Sequence, residues 1–390
     1  MKKKKSGPSF NLKNIVVAQF ILFLSAHCHA LVVANKDDFT MKFDGRMFID
    51  AAKYTNANDI DFGNDIIFRT LRIGAKGHYH YLDYQAELNY ANDQFIARNV
   101  TIAFKPSTHW QIKIGQFKPY VSLEELTSSR YINFLERGII NTFVPSRRLG
   151  AGVHHFNHFG SNLDYTFSLG GFGSSIGNGS INGGEHSKNI NGRSVLMHTL
   201  SDNCNSLLGI SVSYTDVDSA GKIDYAPRPE SGVTNIRLVD TDTINQSKYA
   251  ILYNLESAIQ LGPLSFQGEY MLNKIHRINN SSLSFNGFYF FTSYFLTSDN
   301  RILDKKSAAY KRVKPNHQWG AVEFVARLSY VNLDDGDIYG GHERNITVGL
   351  NWYWANYFRF MANVIKVNAK KNGIKTTPMI YTVRGQFDFG

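Results

Sequence analysis

The chain has 390 residues, with 42 Lys and Arg against 32 Asp and Glu, and aromatic residues make up 14% of it. Its two cysteines, Cys28 and Cys204, exclude a disulfide framework and a thiolate metal cluster. Residues 1–30 hold five of the lysines and no carboxylate, so residues 31–390 carry 37 cations against 32 anions. That net charge of +5 is too small to indicate nucleic-acid binding.

The first 30 residues have the pattern of an export signal. MKKKK is followed by the apolar run Ile15–Ala26 and then by Cys28-His29-Ala30, a small-x-small cleavage site. The run is shorter than the roughly 20 apolar residues of a membrane-spanning helix. We therefore predict a cleaved signal peptide over residues 1–30 and a single exported domain over residues 31–390.

The exported part shows repeated strand-like alternation. In Met41–Ala51 the apolar residues occupy every second position, and charged residues such as Asp44 and Asp50 fill most of the positions between them. Sixteen segments of about ten residues share this alternation, which is the length at which a tilted strand crosses a bilayer. They are 41–51, 64–76, 83–90, 95–105, 110–117, 148–157, 161–173, 193–201, 205–216, 248–256, 263–274, 284–297, 319–332, 344–354, 357–368 and 378–389.

The connections indicate a membrane barrel rather than a soluble sandwich. Short turns are predicted at Gly77-His78 and Trp354–Tyr357, and long polar external loops at 174–192, 217–246, 298–318 and 333–341. An open sheet edge in hydrocarbon costs several kcal/mol for each unpaired group, so such a sheet must close. We predict an all-β fold, a transmembrane antiparallel β-barrel of about 16 strands in the bacterial outer membrane.

One segment, residues 118–147, interrupts the alternation between two strands. It is rich in apolar residues, which argues against disorder, and loops of this length are usually functional. We predict a constriction loop folded into the barrel. Its charged residues are Lys118, Glu124, Glu125, Arg130, Glu136, Arg137 and Arg147, and Arg148 follows directly.

Alternation also places several arginines on the lumen side of the wall. Arg46 and Arg327 are in phase with the polar residues of their strands, whereas Arg69 and Arg72 have opposite parity and both face inward only if a bulge separates them. Each wall cation could line an ion path or form a salt bridge across the lumen. For Arg137, Arg147 and Arg148, on or beside the loop, the ion-path interpretation is favoured.

Motifs for catalysis or cofactor binding are weak. In His154-His155-Phe156-Asn157-His158, neighbouring strand residues point to opposite faces, so His154 and His155 cannot share a metal ion. The glycine-rich segment Gly170–Gly179 is not followed by a helical pattern, and no Gly-x-Ser-x-Gly elbow occurs. We predict no enzyme activity, no cofactor and no metal site.

The loop sequences GQFKPYVSLEELTSSRYINFLERG and NTFVPSRRLGAGV resemble the constriction-loop signature of the phosphate-selective porin O and P family. Other segments before and after the loop match the family and occur in the family's order: FDGRMFID, FRTLRIGAKG, APRPES, AVEFVARLSYVNLDD and TVGLNWYW. The resemblance implies a sixteen-stranded, homotrimeric outer-membrane barrel that passes anions. It also implies a ladder of arginines that leads to a narrow site containing lysines.

The resemblance places four arginines on the arginine ladder: Arg46, Arg69, Arg137 and Arg228. It also matches Lys314 to a family lysine. The family often has a second arginine at the position of Thr70, and here Arg72 lies two residues further on. Three positions depart from the phosphate-selective pattern. Asp83 and Glu125 stand where that pattern has lysines, and Ile96 replaces a carboxylate, which leaves the preferred anion open.

The predicted function is a passive channel for small anions, phosphate or related ions among them, with outer-membrane lipid around it. A general or organic-anion porin without phosphate selectivity is the alternative within this class. Outside the class, a barrel enzyme such as an outer-membrane phospholipase or protease remains open. So does an adhesin that uses loops 174–192, 217–246 and 298–318.

Overall fold

The computed structural model describes residues 31–36, 38–55, 60–63, 65–91, 94–176, 184, 186–201 and 203–390. The predicted signal peptide, residues 1–30, lies outside the described residues. The described residues form twenty strands: β1 (Leu31–Lys36), β2 (Phe39–Thr55), β3 (Asp65–Tyr79), β4 (Leu82–Ala91), β5 (Gln94–Phe104), β6 (Trp110–Phe117), β7 (Arg148–Phe159), β8 (Leu163–Phe172), β9 (Lys188–Ser201), β10 (Cys204–Asp216), β11 (Ser247–Leu261), β12 (Leu264–Arg277), β13 (Leu283–Phe295), β14 (Ile302–Asp304), β15 (Ala309–Lys311), β16 (Ala321–Asp335), β17 (Ile338–Trp354), β18 (Phe358–Lys371), β19 (Ile374–Thr376) and β20 (Met379–Phe389).

Sixteen of these strands, β2–β13, β16–β18 and β20, form one closed antiparallel wall. The ring closes between β2 and β20, where residue pairing runs from Gly45 opposite Phe389 to Thr55 opposite Met379. The predicted sixteen-stranded barrel is therefore confirmed. The short strands were not predicted: β1 runs beside β2, β14 pairs with β15, and β19 pairs with β18.

Burial along the wall follows the alternation of the sequence. In β17, Ile346, Val348 and Leu350 are exposed on the outside, whereas Asn345 and Thr347 between them are fully buried on the inside. This is the arrangement expected when lipid surrounds a barrel with a polar interior. No helix in the described part of the chain is long and apolar enough to cross a membrane.

The two ends of the barrel differ in their connections. Strands β3, β9, β11 and β17 are followed by tight turns at one end, and the long connections 118–147 and 217–246 lie at the other. Short turns characterise the periplasmic end of such barrels and long loops the extracellular end. The end with these tight turns is therefore the periplasmic end, and the end with connections 118–147 and 217–246 is the extracellular end.

Three predicted connections were wrong. Gly77-His78 lies within β3, and most of 333–341 belongs to β16 and β17, which join at a turn of two residues. Segment 298–318 joins β13 to β16, so strand order places it at the periplasmic end with the short turns. The length and polarity of a connection do not reveal its end of the barrel, because that depends on the number of strands that precede it.

Candidate functional site

The constriction loop, residues 118–147, folds into the lumen as predicted and begins with a single helical turn, α1 (Leu123–Leu126). The Ser122 hydroxyl accepts a hydrogen bond from the Glu125 amide at 3.1 Å, which caps this turn. From β12, the Glu269 carboxylate accepts from the Ser122 hydroxyl at 3.1 Å and from the Glu124 amide at 2.7 Å. A wall side chain therefore fixes the start of the loop.

Glu125 is neutralised within the loop itself. Its carboxylate lies 3.1 Å from the Lys118 ammonium and 3.1 Å from the Arg137 guanidinium. Burial would raise the pKa of Glu125, but Arg137 and Lys118 outweigh it and hold that pKa at about 2. Arg137 also donates to the carbonyls of Glu124 and Thr127, both at 3.0 Å. Glu125 therefore presents no uncompensated negative charge to the lumen.

Glu136 is held by two wall arginines. Arg69 donates to both carboxylate oxygens, at 2.7 and 3.0 Å, and Arg384 donates to one of them at 3.2 Å. Burial opposes ionisation, yet the two arginines bring the pKa of Glu136 down to about 2. Arg384 is itself paired with both carboxylate oxygens of Asp50 at 2.7 Å.

Arg327 on β16 connects the constriction loop, and Glu230 of the connection 217–246, to the wall. It donates to Glu230 at 2.6 Å, contacts Glu124 at 3.4 Å and donates to the Glu136 carbonyl at 3.0 Å. Its guanidinium also covers the Phe134 ring, 4.2 Å from the centroid. Burial raises the pKa of Glu124, and Arg327 opposes that rise.

Replacing Arg327 by Met should destabilise the folded barrel by about 3–5 kcal/mol, because it leaves Glu124 and Glu230 buried without their cation. Samples are heated to increasing temperatures before electrophoresis, and the temperature at which the folded band is lost measures this effect. Arg228→Met is the matched control, since Arg228 is half-buried and bonded only to the Asn235 amide oxygen among the described residues, at 2.7 Å. Equal effects of the two substitutions would contradict the anchoring role.

Wall side chains also donate hydrogen bonds to backbone carbonyls of the loop. Arg359 donates to the Ile132 carbonyl at 2.8 Å, Arg384 to the Leu135 carbonyl at 2.7 Å, and Gln386 to the Arg130 carbonyl at 3.1 Å. A loop in the lumen lacks a strand partner for these carbonyls, so arginines of the wall supply the donors.

A second loop, residues 217–246, folds inward from the extracellular end. Val239 and Ile244 are fully buried, and Glu230 accepts hydrogen bonds from Arg327, Thr347 and the Ile139 amide. This loop approaches the Arg69–Glu136 pair so closely that a Cβ at Gly232 would lie 2.5 Å from Arg69 Nε. The loop predicted at 217–246 is therefore at the extracellular end, as expected, but it folds into the lumen and does not project outward.

The periplasmic connection between β13 and β16 enters the lumen from the other end. Its hairpin, β14–β15, places Ala308 and Tyr310 against Leu123 of α1 and against Val195, Met197 and Leu207 of the wall. Arg301 lies over the Tyr310 ring at 3.4 Å and donates to Gln267 at 2.9 Å. This hairpin and the constriction loop together fill one side of the barrel.

A cavity of about 840 Å³ lies between the constriction loop and the periplasmic end. Its walls carry ten Lys and Arg side chains and three carboxylates. The cations are Arg46, Lys76, Lys105, Lys113, Lys118, Arg130, Arg147, Arg193, Lys306 and Lys311, and the carboxylates are Asp44, Glu87 and Asp304. Cations therefore outnumber carboxylates in the lining of the cavity.

Seven of these cations have a carboxylate partner within 4.0 Å. Lys76 and Arg130 share Asp44; Arg46 contacts Glu87, Lys105 contacts Asp83, Lys118 contacts Glu125, Arg193 contacts Glu256, and Lys311 contacts Asp304. Within the part of the chain that the structure describes, Lys113, Arg147 and Lys306 have no such partner. Arg147 donates instead to the Asn99 amide oxygen at 2.8 Å. Burial lowers the pKa of Arg147 to about 10, which leaves it charged at neutral pH.

The predicted wall arginines occupy the lumen side. Arg46 donates to Ser129 at 3.0 Å and to Glu87 at 3.2 Å. Arg72 lies 3.8 Å from Glu87 on the neighbouring strand. Register between β2 and β3 shifts at Phe48, so that Arg69 is the extra residue of a bulge. The bulge required for Arg69 and Arg72 both to face inward is present.

Three other predicted residues lie away from the cavity. Arg148 is buried and donates to the Ser187 hydroxyl at 2.8 Å. Arg228 lies in the second inward loop, bonded to Asn235. Lys314 is exposed at the periplasmic end and does not line the cavity.

The departures from the family pattern have partners of their own. Asp83 is half-exposed; its carboxylate contacts the Lys105 ammonium and lies 2.9 Å from His78 Nδ1. Ile96 pairs across the sheet with the buried Asn89. The negative charge at position 83 is therefore compensated by a neighbouring cation.

The sequence interpretation missed cations of two kinds. Lys76 and Lys113 are in phase with inward residues of β3 and β6, so alternation alone could have identified them. Arg98 carries no such signal, because it shares parity with Val100 and Ile102. A bulge between Ala86 and Leu88 places both Arg98 and Asn99 opposite Glu87.

A closed sixteen-stranded barrel whose lumen is narrowed by an inward loop defines an outer-membrane porin. The chain belongs to the family described as phosphate-selective porin O and P, whose pattern matches residues 41–389. Fold and family place it in the bacterial outer membrane and indicate a channel rather than an enzyme.

Comparison with known proteins agrees with this assignment. Porin O of Pseudomonas aeruginosa is 23% identical over 87% of this chain and 86% of its own length. OmpT, an outer membrane protein of Vibrio cholerae, aligns with a TM-score of 0.59 at 12% identity, over 92% of this chain and all of that one. A trimer form of OmpT aligns with a TM-score of 0.56 at 13% identity, over 90% of this chain and all of that one. The anion-selective porin from Comamonas acidovorans aligns with a TM-score of 0.54 at 12% identity, over 90% of this chain and all of that one.

Proposed function

We propose that this porin conducts small anions passively, with phosphate and related oxyanions as its preferred solutes. The observation that carries the proposal is the cavity beside the constriction loop, where ten Lys and Arg side chains face three carboxylates. Rings of charge at a constriction select ions of the opposite sign. Guanidinium groups suit oxyanions because they are permanently charged and offer forked donors.

The three carboxylates of the constriction loop do not oppose this selection. Glu125 is held by Lys118 and Arg137, Glu136 by Arg69 and Arg384, and Glu124 lies beside Arg327. Within the loop, four cations (Lys118, Arg130, Arg137 and Arg147) outnumber these three carboxylates. The loop therefore adds positive charge to the lumen while its acidic residues hold it in place.

We propose a path that begins at Arg228 and Arg69 on the extracellular side, passes Arg137 and Arg147 beside the loop, and enters the cavity. Lys113 and Lys306 then attract the anion from within the cavity, and neither has a described carboxylate within 4.0 Å. Sites that are close together and individually weak allow an anion to enter and to leave. Lys314, exposed at the periplasmic end, would act only at the exit.

A porin for organic anions is the second candidate, and the partnered Asp83 together with Glu125 favours it. Neither position supplies the free lysine that the phosphate-selective pattern implies. A dicarboxylate and a phosphate both fit a cavity of about 840 Å³. Competition experiments distinguish the two.

Purified protein in planar bilayers under a potassium chloride gradient should give a reversal potential whose sign shows that chloride permeates more readily than potassium. Adding phosphate should reduce the chloride current at lower concentrations than succinate does, if phosphate is preferred. Stronger inhibition by succinate would favour the organic-anion porin. A reversal potential of the sign set by potassium would overturn the proposal of anion conduction.

We also propose that the protein acts as a homotrimer after removal of residues 1–30. The trimer is implied by the family resemblance, and OmpT of similar fold has been seen in a trimer form. The mass of the folded complex and the sequence of its mature amino terminus test both points. A monomeric mass, or a terminus other than Leu31, would contradict them.

A further inference from the structure

The outer surface of the barrel carries a compact cationic patch at its extracellular end, on β17 and β18. Arg344, Lys366 and Lys370 are exposed, whereas their chain neighbours, such as Glu343 and Ile365, are fully buried on the lumen side. Successive residues of a strand point to opposite faces, so these three cations point away from the lumen. They therefore have no place in the ion path.

Strand register brings the three cations together. Arg344 lies directly opposite Asn368, so Lys366 and Lys370, two residues to either side, are its diagonal neighbours. Diagonal neighbours on one face of a sheet have Cβ atoms about 7–8 Å apart. Lys375 of β19 lies directly opposite Lys370 and is also exposed.

The positive charge of this patch is not compensated by the residues that the structure describes. None of Arg344, Lys366 and Lys370 has a described carboxylate within 4.0 Å. The nearby acidic residues contact other groups: Asp334 accepts from the Gly341 amide at 2.7 Å and lies 3.6 Å from His342, and Asp242 lies 3.3 Å from Lys371. Like charges opposite each other on a sheet are destabilising, and a bound anion would offset that cost.

The level of the patch is that of lipid headgroups. From Ile346 to Trp354 the outward residues of β17 are all apolar and exposed. At about 3.4 Å per residue and a tilt of about 40°, this row spans about 20 Å, close to the height of the apolar band of such barrels. Arg344 is the next outward residue, just beyond the extracellular edge of that band.

Exposed outward lysines also occur elsewhere on the extracellular rim, such as Lys188 on β9 and Lys274 on β12. Only register brings several cations close together, and it does so on β17 and β18, where Lys366 and Lys370 flank Arg344 diagonally. At the extracellular ends of β3 and β5 the outward residues Ile66, Phe68 and Phe95 are apolar and exposed. This clustering favours a partner that carries several negative charges.

We propose that Arg344, Lys366 and Lys370 bind the phosphate groups of phosphorylated glycolipid headgroups in the outer leaflet of the membrane. The arginine supplies forked donors to phosphate oxygens, and the flanking lysines add point charges. The apolar row below them contacts the acyl chains of the same lipid. This proposal is independent of which solute the pore conducts.

The test measures binding of bisphosphorylated lipid A to the folded protein in detergent micelles by native mass spectrometry. Each cation near an anionic lipid surface contributes about fivefold to affinity, so the triple variant Arg344→Gln, Lys366→Gln, Lys370→Gln should bind about 100-fold more weakly. Lipid A stripped of its phosphates should bind the unaltered protein as weakly as bisphosphorylated lipid A binds the triple variant. Single-channel conductance should be unchanged in the triple variant.

Two variants serve as controls. Lys188→Gln removes an outward cation at the same end that lies opposite Asp216, and should leave lipid binding unchanged. The triple variant Arg344→Lys, Lys366→Arg, Lys370→Arg keeps the charge and should keep most of the binding. If the glutamine triple variant does not fold, the single variants Arg344→Gln and Lys370→Gln should each weaken binding about fivefold.

Equal binding of phosphorylated and phosphate-free lipid A would overturn the proposal, as would an equal loss in Lys188→Gln. Displacement of lipid A by an equal concentration of inorganic phosphate would show a site for free phosphate rather than for a headgroup, which also overturns it. A change in oligomeric mass of the triple variant without a change in lipid binding would assign the patch to contact between copies instead.

Discussion

Replacing Lys113 and Arg147 together by Glu should abolish anion selectivity and shift the channel towards cations. Neither of these two cavity cations has a described carboxylate within 4.0 Å, so their charge is less compensated than that of the paired cations around them. At about 10 Å and an effective dielectric constant of about 20, one unit of charge changes an ion's energy by about 1.7 kcal/mol, or more than tenfold in occupancy. The double reversal changes the cavity by four units of charge.

The measurement is the ratio of chloride to potassium permeability, obtained from reversal potentials. We expect it to fall at least about tenfold in the double variant, with the larger effect at low salt because screening is weaker there. Lys314→Glu is the control: it reverses the charge of one exposed lysine outside the cavity, a change of two units. An unchanged ratio in the double variant would mean that anions do not pass through this cavity.

Excising the hairpin Ile302–Lys311 should give the second large effect, a rise in single-channel conductance of roughly twofold or more. This hairpin occupies lumen space beside α1, and conductance follows the open cross-section of the pore. Anion selectivity should fall but keep its sign, because Lys306 and Lys311 are removed while Lys113 and Arg147 remain.

The wall should survive this excision, since all sixteen of its strands pair with one another without β14 or β15. Mobility of the folded protein on unheated electrophoresis checks that it does. Shortening the connection at residues 279–281, at the extracellular end between β12 and β13, is the control and should leave conductance unchanged. Wild-type conductance in a folded excision variant would show that the hairpin does not obstruct the pore.

The sequence by itself determined the barrel. Alternation is a local property of each strand, and burial in the structure follows it in strands such as β17, because lipid on one side and a polar lumen on the other impose a period of two. The sequence also showed that the alternation stops at residues 118–147. The segment is too apolar for an exposed loop and required a surface to pack against. The lumen wall provides that surface, and loop residues such as Phe134 and Ile140 are buried against it.

Only the tertiary structure decided which cations form the site. Bulges at Arg69 and at Arg98–Asn99 shift the phase of a strand by one residue. The opposite parity of Arg69 and Arg72 made the first bulge a possibility, but the sequence did not predict the second. Which end of the barrel residues 298–318 occupy followed from strand order, not from their composition. Pairing of Glu136 with Arg69 and Arg384 joins residues far apart in the chain. Closure of the sheet brings such residues together, and local sequence carries no information about it.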